Sequence, residues 1–323
     1  MVKFDLLDRK IMFELDLDSR LPVTQLAKKV HASKDTVNFR LKKLVQDGFI
    51  KNFITTIYTS HLNLFYYKLF YRFHKTTPEI DKKIISFIQD YGKTAWFGSF
   101  EGPYDLAFLI ISKSVYDLEN FLKEFRKLFG DYILEQEIHT LTSVHRFNLK
   151  FFHNSERVKH TQYPKELQVL NLDEVDYKIL TTIANNSRVP IIDLARDLNI
   201  DSSTILYRLA NLKKKKVLGT HTLAVDFSKF GVQHYQINFI LKNHEAISKL
   251  VTYFSNHKNA TFATTTIGKY DLAVELVAED NLGLRKILDD VNSKFSSDIN
   301  DHDTFLIVKE HNVTWLPKNA LQL

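Results

Sequence analysis

The sequence predicts an α+β fold built from one unit used twice, each copy a winged helix-turn-helix followed by a ferredoxin-like βαββαβ domain. Three observations lead there. The chain aligns with itself, each copy opens on three short amphipathic helices with recognisable caps, and each then alternates strands with helices. A length of 323 residues leaves room for several domains of ordinary size.

The repeat is carried by matching stretches at a fixed spacing. Asp8-Arg9-Lys10-Ile11 falls on Asp176-Tyr177-Lys178-Ile179, and Ser19-Arg20-Leu21-Pro22 on Ser187-Arg188-Val189-Pro190, both at an offset of 168. The same offset pairs Leu26-Ala27 with Leu194-Ala195, Thr36-Val37 with Thr204-Ile205, Arg40-Leu41 with Arg208-Leu209, and Leu44 with Leu212. Further on, Gly102-Pro103-Tyr104-Asp105-Leu106-Ala107 matches Gly268-Lys269-Tyr270-Asp271-Leu272-Ala273 at an offset of 166, so the second copy has lost two residues in between.

Within the first copy, Leu7, Ile11 and Phe13 to Leu15 recur at helical spacing, with Asp5 or Asp8 to cap the start. Pro22 suits the first turn of a second helix carrying Leu26, Ala27 and Val30, since proline forfeits no intrahelical donor there. Ser33 caps a third helix with Val37, Leu41 and Leu44 on one face, and Gly48 ends it. Phe49 to Tyr58 is β-rich with a polar tip at Lys51-Asn52, the pattern of a wing. The second copy repeats this order from about Asp173, with Pro190 opening its second helix and Asp201-Ser202-Ser203 capping its third; Lys216 stands where the first copy has Gly48, so a different helix end and wing are expected there.

Downstream, strands at Tyr66–Phe73, Thr94–Ser99, Leu106–Ile111 and Ile133–Phe147 interleave with helices at Pro78–Tyr91 and Val115–Phe129. The second set is Tyr235–Leu241, Glu245–Phe254, Thr261–Thr266, Leu272–Val277, Leu282–Phe295 and Ile299–Val308. Helices cover one sheet face and leave the other to pack on a partner. The domains so read are 1–60, 64–150, a linker 151–170, then 171–228 and 232–316.

A formal charge of +6 and a pI near 9.1 favour a polyanionic partner. The absence of cysteine excludes disulfides, thiolate metal sites and a cysteine nucleophile. No apolar stretch approaches a membrane span and the N-terminus has no signal-like core, so a cytoplasmic location and no membrane partner are expected.

The stretch Leu7-Asp8, Ile11, Ser19-Arg20, Leu26-Ala27, Ser33, Thr36-Val37, Arg40-Leu41, Leu44, Gly48-Phe49-Ile50, occurring twice, resembles the Lrp/AsnC (feast/famine) regulators. The Gly-x-Tyr-Asp turns at 102–105 and 268–271 are similar to a turn in that family's RAM-type sensing domain. The resemblance implies a transcriptional regulator, without catalytic activity or cofactor, that binds double-stranded DNA and responds to an amino acid or related effector near Gly102, Asp105, Gly268 and Asp271. Family members usually carry one unit and dimerise. Two units in one chain can form that pair internally, with further assembly to a homodimer or higher oligomer left open.

In a helix-turn-helix the second helix of the motif enters the major groove. Lys34, Asp35, Asn38 and Phe39 are the candidates in the first copy, and Ser202, Ser203, Leu206 and Tyr207 in the second. Asn can read adenine, and Phe or Leu can pack on a thymine methyl. Arg40, Lys42, Lys43, Lys51, Arg208, Lys213 and Lys214 are suited to phosphate contact, although a lysine run can also be a solvated helix end. Asp105 and Asp271 have an equally good reading as turn residues that bind local backbone donors.

The histidines show no metal-ligand spacing; His139 and His145, on one alternating strand, are expected to line a sheet face. No glycine-rich phosphate loop appears. Two alternatives stand beside the regulator. Sirohaem decarboxylases, which resemble the same family, would need paired His and Arg, and neither Ser60-His61-Leu62-Asn63 nor Lys229-Phe230-Gly231-Val232 carries such a cluster. A metabolite-sensing scaffold without DNA affinity is the other.

Overall fold

The computed structural model describes residues 4–153, 161–162 and 169–320. Each copy begins with three helices: α1 (Leu6–Leu17), α2 (Val23–Val30) and α3 (Lys34–Gln46) in the first unit. Asp5 caps α1 through a reciprocal capping box with Asp8, and Ser33 caps α3 by accepting from the Thr36 amide. Pro22 is itself the residue before α2, one position earlier than a first-turn proline.

A wing would be a hairpin within each unit; here it is not. The first unit supplies a single strand, β1 (Ile50–Ile57), and its antiparallel partner is β7 (Leu218–Val225), the equivalent strand of the second unit. The two strands form a ribbon on the pseudo-dyad. Ser19 and Ser187, equivalent residues, share a 2.6 Å hydrogen bond, while the Ser19 amide donates to His221 and the Ser187 amide to its equivalent, Phe53. The apolar side chains of this ribbon complete the opposite helical domains. Leu223 and Val225 pack with Ile11, Leu26 and Val37, and Ile57 packs with Ile179, Leu194 and Ile205 of the second unit.

Between β1 and β7 the chain runs through β2 (Phe65–Phe73), α4 (Pro78–Asp90), β3 (Thr94–Glu101), β4 (Leu106–Ser112), α5 (Val115–Phe129), β5 (Ile133–Arg146), a two-residue β6 (Thr161–Gln162), and helices α6 (Glu174–Asn185), α7 (Ile191–Leu198) and α8 (Ser202–Lys214). After β7 come β8 (Gln233–Leu241), α9 (Glu245–Asn256), β9 (Ala260–Ile267), β10 (Leu272–Ala278), α10 (Asn281–Phe295) and β11 (Ile299–Val313). The sequence expectation for this region holds to within a few residues except at β11, which runs on to Val313. The expected linker 151–170 falls largely outside the described residues, since 154–160 and 163–168 are not among them.

The extra length of β5 and β11 closes the fold. Residues 133–140 of β5 pair with β2 in its own sheet and residues 140–146 pair with β9 of the other. β11 does the same, first with β8 and then with β3. The order β2-β4-β3-β11-β8-β10-β9-β5 therefore returns to β2 as a ring of eight antiparallel strands, with β6 beside β5. Closure leaves neither four-stranded sheet with the unpaired edge that invites aggregation. Alternation along each strand then sorts the side chains. Leu69, Tyr71 and Phe108 face outward against Ile84, Phe121 and Phe125 of α4 and α5, whereas Phe70, Trp96, Tyr104, Tyr270 and Phe305 fill part of the interior.

The doubt raised by Lys216 resolves locally. Gly48 has φ +77° and Lys216 has φ +56°, so both helices end on the same left-handed residue, with lysine held in a conformation that glycine adopts without strain.

Candidate nucleic-acid interface

The core of each helical domain holds α3 and α8 by one face only. Val37, Leu41 and Leu44 are buried, as are Ile205 and Leu212, and the opposite face is open. On that face Lys34, Asp35, Asn38 and Lys42 are exposed, and so are Ser203, Lys213 and Lys214; Ser202 and Lys43 are half-buried. Three large apolar side chains stand out among them, Phe39 at 62 % exposure, Leu206 at 55 % and Tyr207 at 72 %. Phe39 and Tyr207 are equivalent positions, since 39 + 168 = 207.

Arg40 and Arg208 are engaged within their own domains. Arg40 contacts Asp5 at 2.9 Å and Asp8 at 3.0 Å, and Arg208 contacts Asp173 at 2.7 Å and Asp176 at 2.9 Å, so each ties its helix to the N-terminus of the unit's first helix. The Asp173 carboxyl is held below its usual range by the Asp176 amide and then by Arg208. Asp8 is pushed up by burial, although the Asp5 amide and Arg40 oppose this. Lys51 lies on β1 rather than at a hairpin tip, with its ammonium 3.6 Å from Glu310.

The two Gly-x-Tyr-Asp turns are built alike. The Asp105 carboxylate accepts from the Phe73 amide at 2.6 Å, and the Asp271 carboxylate accepts from the Leu241 amide at 2.8 Å, so each fastens its turn to the end of the unit's first sheet strand. Gly102 and Gly268 have φ of +144° and +158° and lie against the long strand of the opposite unit. A Cβ on Gly268 would come within 2.5 Å of the His139 ring, and one on Gly102 within 3.0 Å of the Thr304 carbonyl. Asp105 also lines an open cleft with His74, Lys75 and Ser99. His139 and His145 are buried on the inside, His139 stacked on Tyr270 with its ring pKa lowered to about 4 by burial and then by Lys68 and Lys269.

Sequence reading missed a set of buried charges. Asp16 accepts from Arg146, from Asn148 and from the Leu149 amide, and its side chain also receives the Thr222 hydroxyl of β7. Lys68, Glu275 and Glu310 point into the strand ring. A charge on the inward phase of an otherwise apolar strand was the available signal, but which phase is inward depends on ring closure.

Comparison with known proteins agrees with this architecture. A winged helix-turn-helix DNA-binding family model matches residues 4–51 and 172–218. HTH-type transcriptional regulator FL11 of Pyrococcus horikoshii is 24% identical over 145 residues, 44% of this chain and 93% of that protein. Regulatory protein AsnC of Haemophilus influenzae is 22% identical over 119 residues, 36% of this chain and 79% of that protein. Among solved structures, the siroheme decarboxylase NirDL superposes over 97% of this chain and 94% of its own, with a TM-score of 0.64 and 14% identity, which is a likeness of fold. The paired helix-turn-helix matches and the single-unit relatives define an α+β protein of two tandem regulator-type units. Each half of the chain is thus similar to single-unit regulators of the Lrp/AsnC type. Among the described residues no helix is long and apolar enough to cross a membrane, and no group of three or more His, Asp or Glu is placed to hold a metal ion.

Proposed function

We propose that the protein is a sequence-specific DNA-binding transcriptional regulator whose two recognition helices, α3 and α8, read unlike half-sites. The observation that carries this reading is the solvent face of those helices. Phe39, Leu206 and Tyr207 are large, apolar and without a core to fill, flanked by Asn38, Lys34, Lys42, Lys213 and Lys214, a mixture suited to base edges, thymine methyls and phosphates. Ser202 and Ser203 open α8 and Lys43 lies in the last turn of α3, while Arg40, Arg208 and Lys51 are engaged in ion pairs with Asp5 and Asp8, with Asp173 and Asp176, and with Glu310. The family model and the names of the relatives point the same way. Because the residues of α3 and α8 differ, the preferred operator is not a perfect palindrome.

The test is fluorescence anisotropy with duplex from the gene's own upstream region and with random duplex, at two salt concentrations. The reading expects a strong preference for the upstream duplex. Asn38→Ala and Tyr207→Ala should each reduce that preference by about 1–3 kcal/mol, while Lys42→Ala and Lys213→Ala weaken all duplexes alike and flatten the salt dependence. Binding to neither duplex would sink it. Modulation by an effector at the Gly-x-Tyr-Asp turns, through Gly102, Asp105, Gly268 and Asp271, belongs to this reading. Asp105 borders an open cleft there, and its carboxylate keeps a free lone pair beyond the Phe73 amide.

A second reading, tetrapyrrole chemistry, has one observation of its own. The NirDL-like fold is accompanied by an open cleft between β1, β8 and β11 that carries Lys51, Lys309 and His234. Asp226 and Glu310 line the same cleft and no arginine does, which weakens it as a site for several carboxylates. A visible-band shift of uroporphyrin that is abolished in Lys309→Ala would favour this reading; an unchanged spectrum favours the regulator.

A further inference from the structure

Several contacts between the two units have no symmetric copy. Inside the strand ring the Lys68 ammonium, 3 % exposed, donates to the Gln236 side chain at 2.6 Å, and the two are equivalent residues at the offset of 168. Glu275 and Glu310, both of the second unit, act on that ammonium from the walls of the same space. Their counterparts in the first unit, at the offset of 166, are Leu109 and Val144, which line it as well. Glu310 draws its partners from the first unit, the Trp96 indole at 2.9 Å and the Lys51 ammonium at 3.6 Å, where the second unit has Phe262 and Gly219. The first unit thus brings ammonium and indole groups to this interface and the second brings carboxylates.

The β1–β7 ribbon is divided in the same way by size. Gly219 lies against Thr56, and a Cβ there would collide with the Thr56 hydroxyl and come within 3.1 Å of its carbonyl oxygen. At the other end of the ribbon the equivalent places hold Lys51, in a bulge, and Ala224. A larger residue of the first unit faces a smaller one of the second at each end.

Like units would meet badly on both counts. Two first units would set Lys68 against Lys68 among leucines and valines, with no carboxylate, and Lys51 against Thr56 at both ends of the ribbon. Two second units would gather Glu275 and Glu310 twice over, with Phe262 and Gly219 in place of the groups that now partner Glu310. Buried charges of one sign leave the cost of desolvation uncompensated, and setting them against each other is a physical means of rejecting a wrong partner.

We propose that the face between the units is a heterotypic interface, which accepts the unlike unit and rejects a further copy of the same one. It keeps α3 and α8, with their different residues, together in one assembly, and it does not rest on the regulator reading.

Like-unit contacts can be rebuilt within the full-length chain. The triple variant Gln236→Lys, Glu275→Leu, Glu310→Val reproduces the centre of a first-unit pair. The triple variant Lys68→Gln, Glu275→Leu, Glu310→Val differs from it only in placing two glutamines there in place of two lysines. In denaturant titration near neutral pH the two-lysine chain should have a folding equilibrium constant at least about 100-fold below that of the two-glutamine chain, and failure of the two-lysine chain alone to fold meets the same expectation. Equal stability of the two overturns the proposal. The ribbon gives a second measurement that leaves the interior untouched and decides the matter if neither triple variant folds. Gly219→Lys should lower the folding equilibrium constant at least about tenfold more in the presence of Thr56 than in a Thr56→Ala background, which recreates the Lys51–Ala224 end. An equal loss in the two backgrounds overturns the size match and with it the selection of the unlike unit.

Discussion

In the first unit the last turn of α1 buries Asp16 against Arg146, whereas in the second unit the same two places hold Ala184 and Asn312. Ala184 is fully buried in the apolar core of its helical domain, and Asn312 donates to the Thr94 carbonyl across the β11–β3 junction. The backbone is the same in both units, so the ion pair is not needed to form it. Its effect is to bind three parts of the chain at one point, since Asp16 also receives groups from Asn148, Leu149 and Thr222. The contrast teaches that a duplicated scaffold tolerates either a packed apolar position or a fully satisfied polar one. A half-satisfied one is expected to cost more than either.

The largest expected effect follows from that. Asp16→Ala leaves a buried guanidinium unpaired and should destabilise by about 3–5 kcal/mol in denaturant titration, while the double variant Asp16→Ala with Arg146→Met should recover much of the loss. A double variant no more stable than the single one would show that the apolar solution of the second unit does not transfer to the first.

Lys68 and Gln236 offer the next contrast. Burial lowers the Lys68 pKa to about 8 from 10.5, against the nearby charges of Glu275 and Glu310, which raise it. Between those two values the unfolded chain holds a proton that the folded chain has released, so this group adds stability as pH rises through that window. Relative to Lys68→Met, the wild type should therefore gain on the order of 1–3 kcal/mol between pH 8 and pH 10. A constant difference across that range would mean that Lys68 titrates normally in the folded state.

The arginine clamps look alike and should not weigh alike. Arg40 pairs with Asp8, whose side chain is 5 % exposed, and Arg208 pairs with Asp176 and the open Asp173. Arg40→Ala should cost about 1–2 kcal/mol and Arg208→Ala less than about 1 kcal/mol, because only the first strands a buried carboxylate. Equal losses would argue that the ties to the open Asp5 and Asp173, common to both clamps, dominate.

The smallest effect concerns the ends of α3 and α8. Lys216→Gly should stabilise by about 1 kcal/mol and Gly48→Ala should destabilise by a similar amount, since both positions are left-handed and the nearest atom to a Cβ at Gly48 is 3.7 Å away. Opposite signs at equivalent sites would isolate backbone conformation from packing.

What the sequence by itself determined is local and repeated: the caps at Asp5, Ser33 and Asp173, the helical spacing of Val37, Leu41 and Leu44, the strand alternation, and the element order that follows from them. Those features act within a turn or two of chain and could be read twice, at positions 168 residues apart. The exposed face of α3 was legible for the same reason, since a helix core that uses one stripe leaves the other outside. Tertiary structure alone decided that β1 would pair with β7 rather than fold back as a wing, that β5 and β11 would leave their own sheets to close a ring, and that Arg40 and Arg208 would be drawn into ion pairs. It also decided that Lys68, Glu275 and Glu310 would line one cavity. Those outcomes depend on which distant segments meet, and neither periodicity nor capping carries information about a partner more than a hundred residues away.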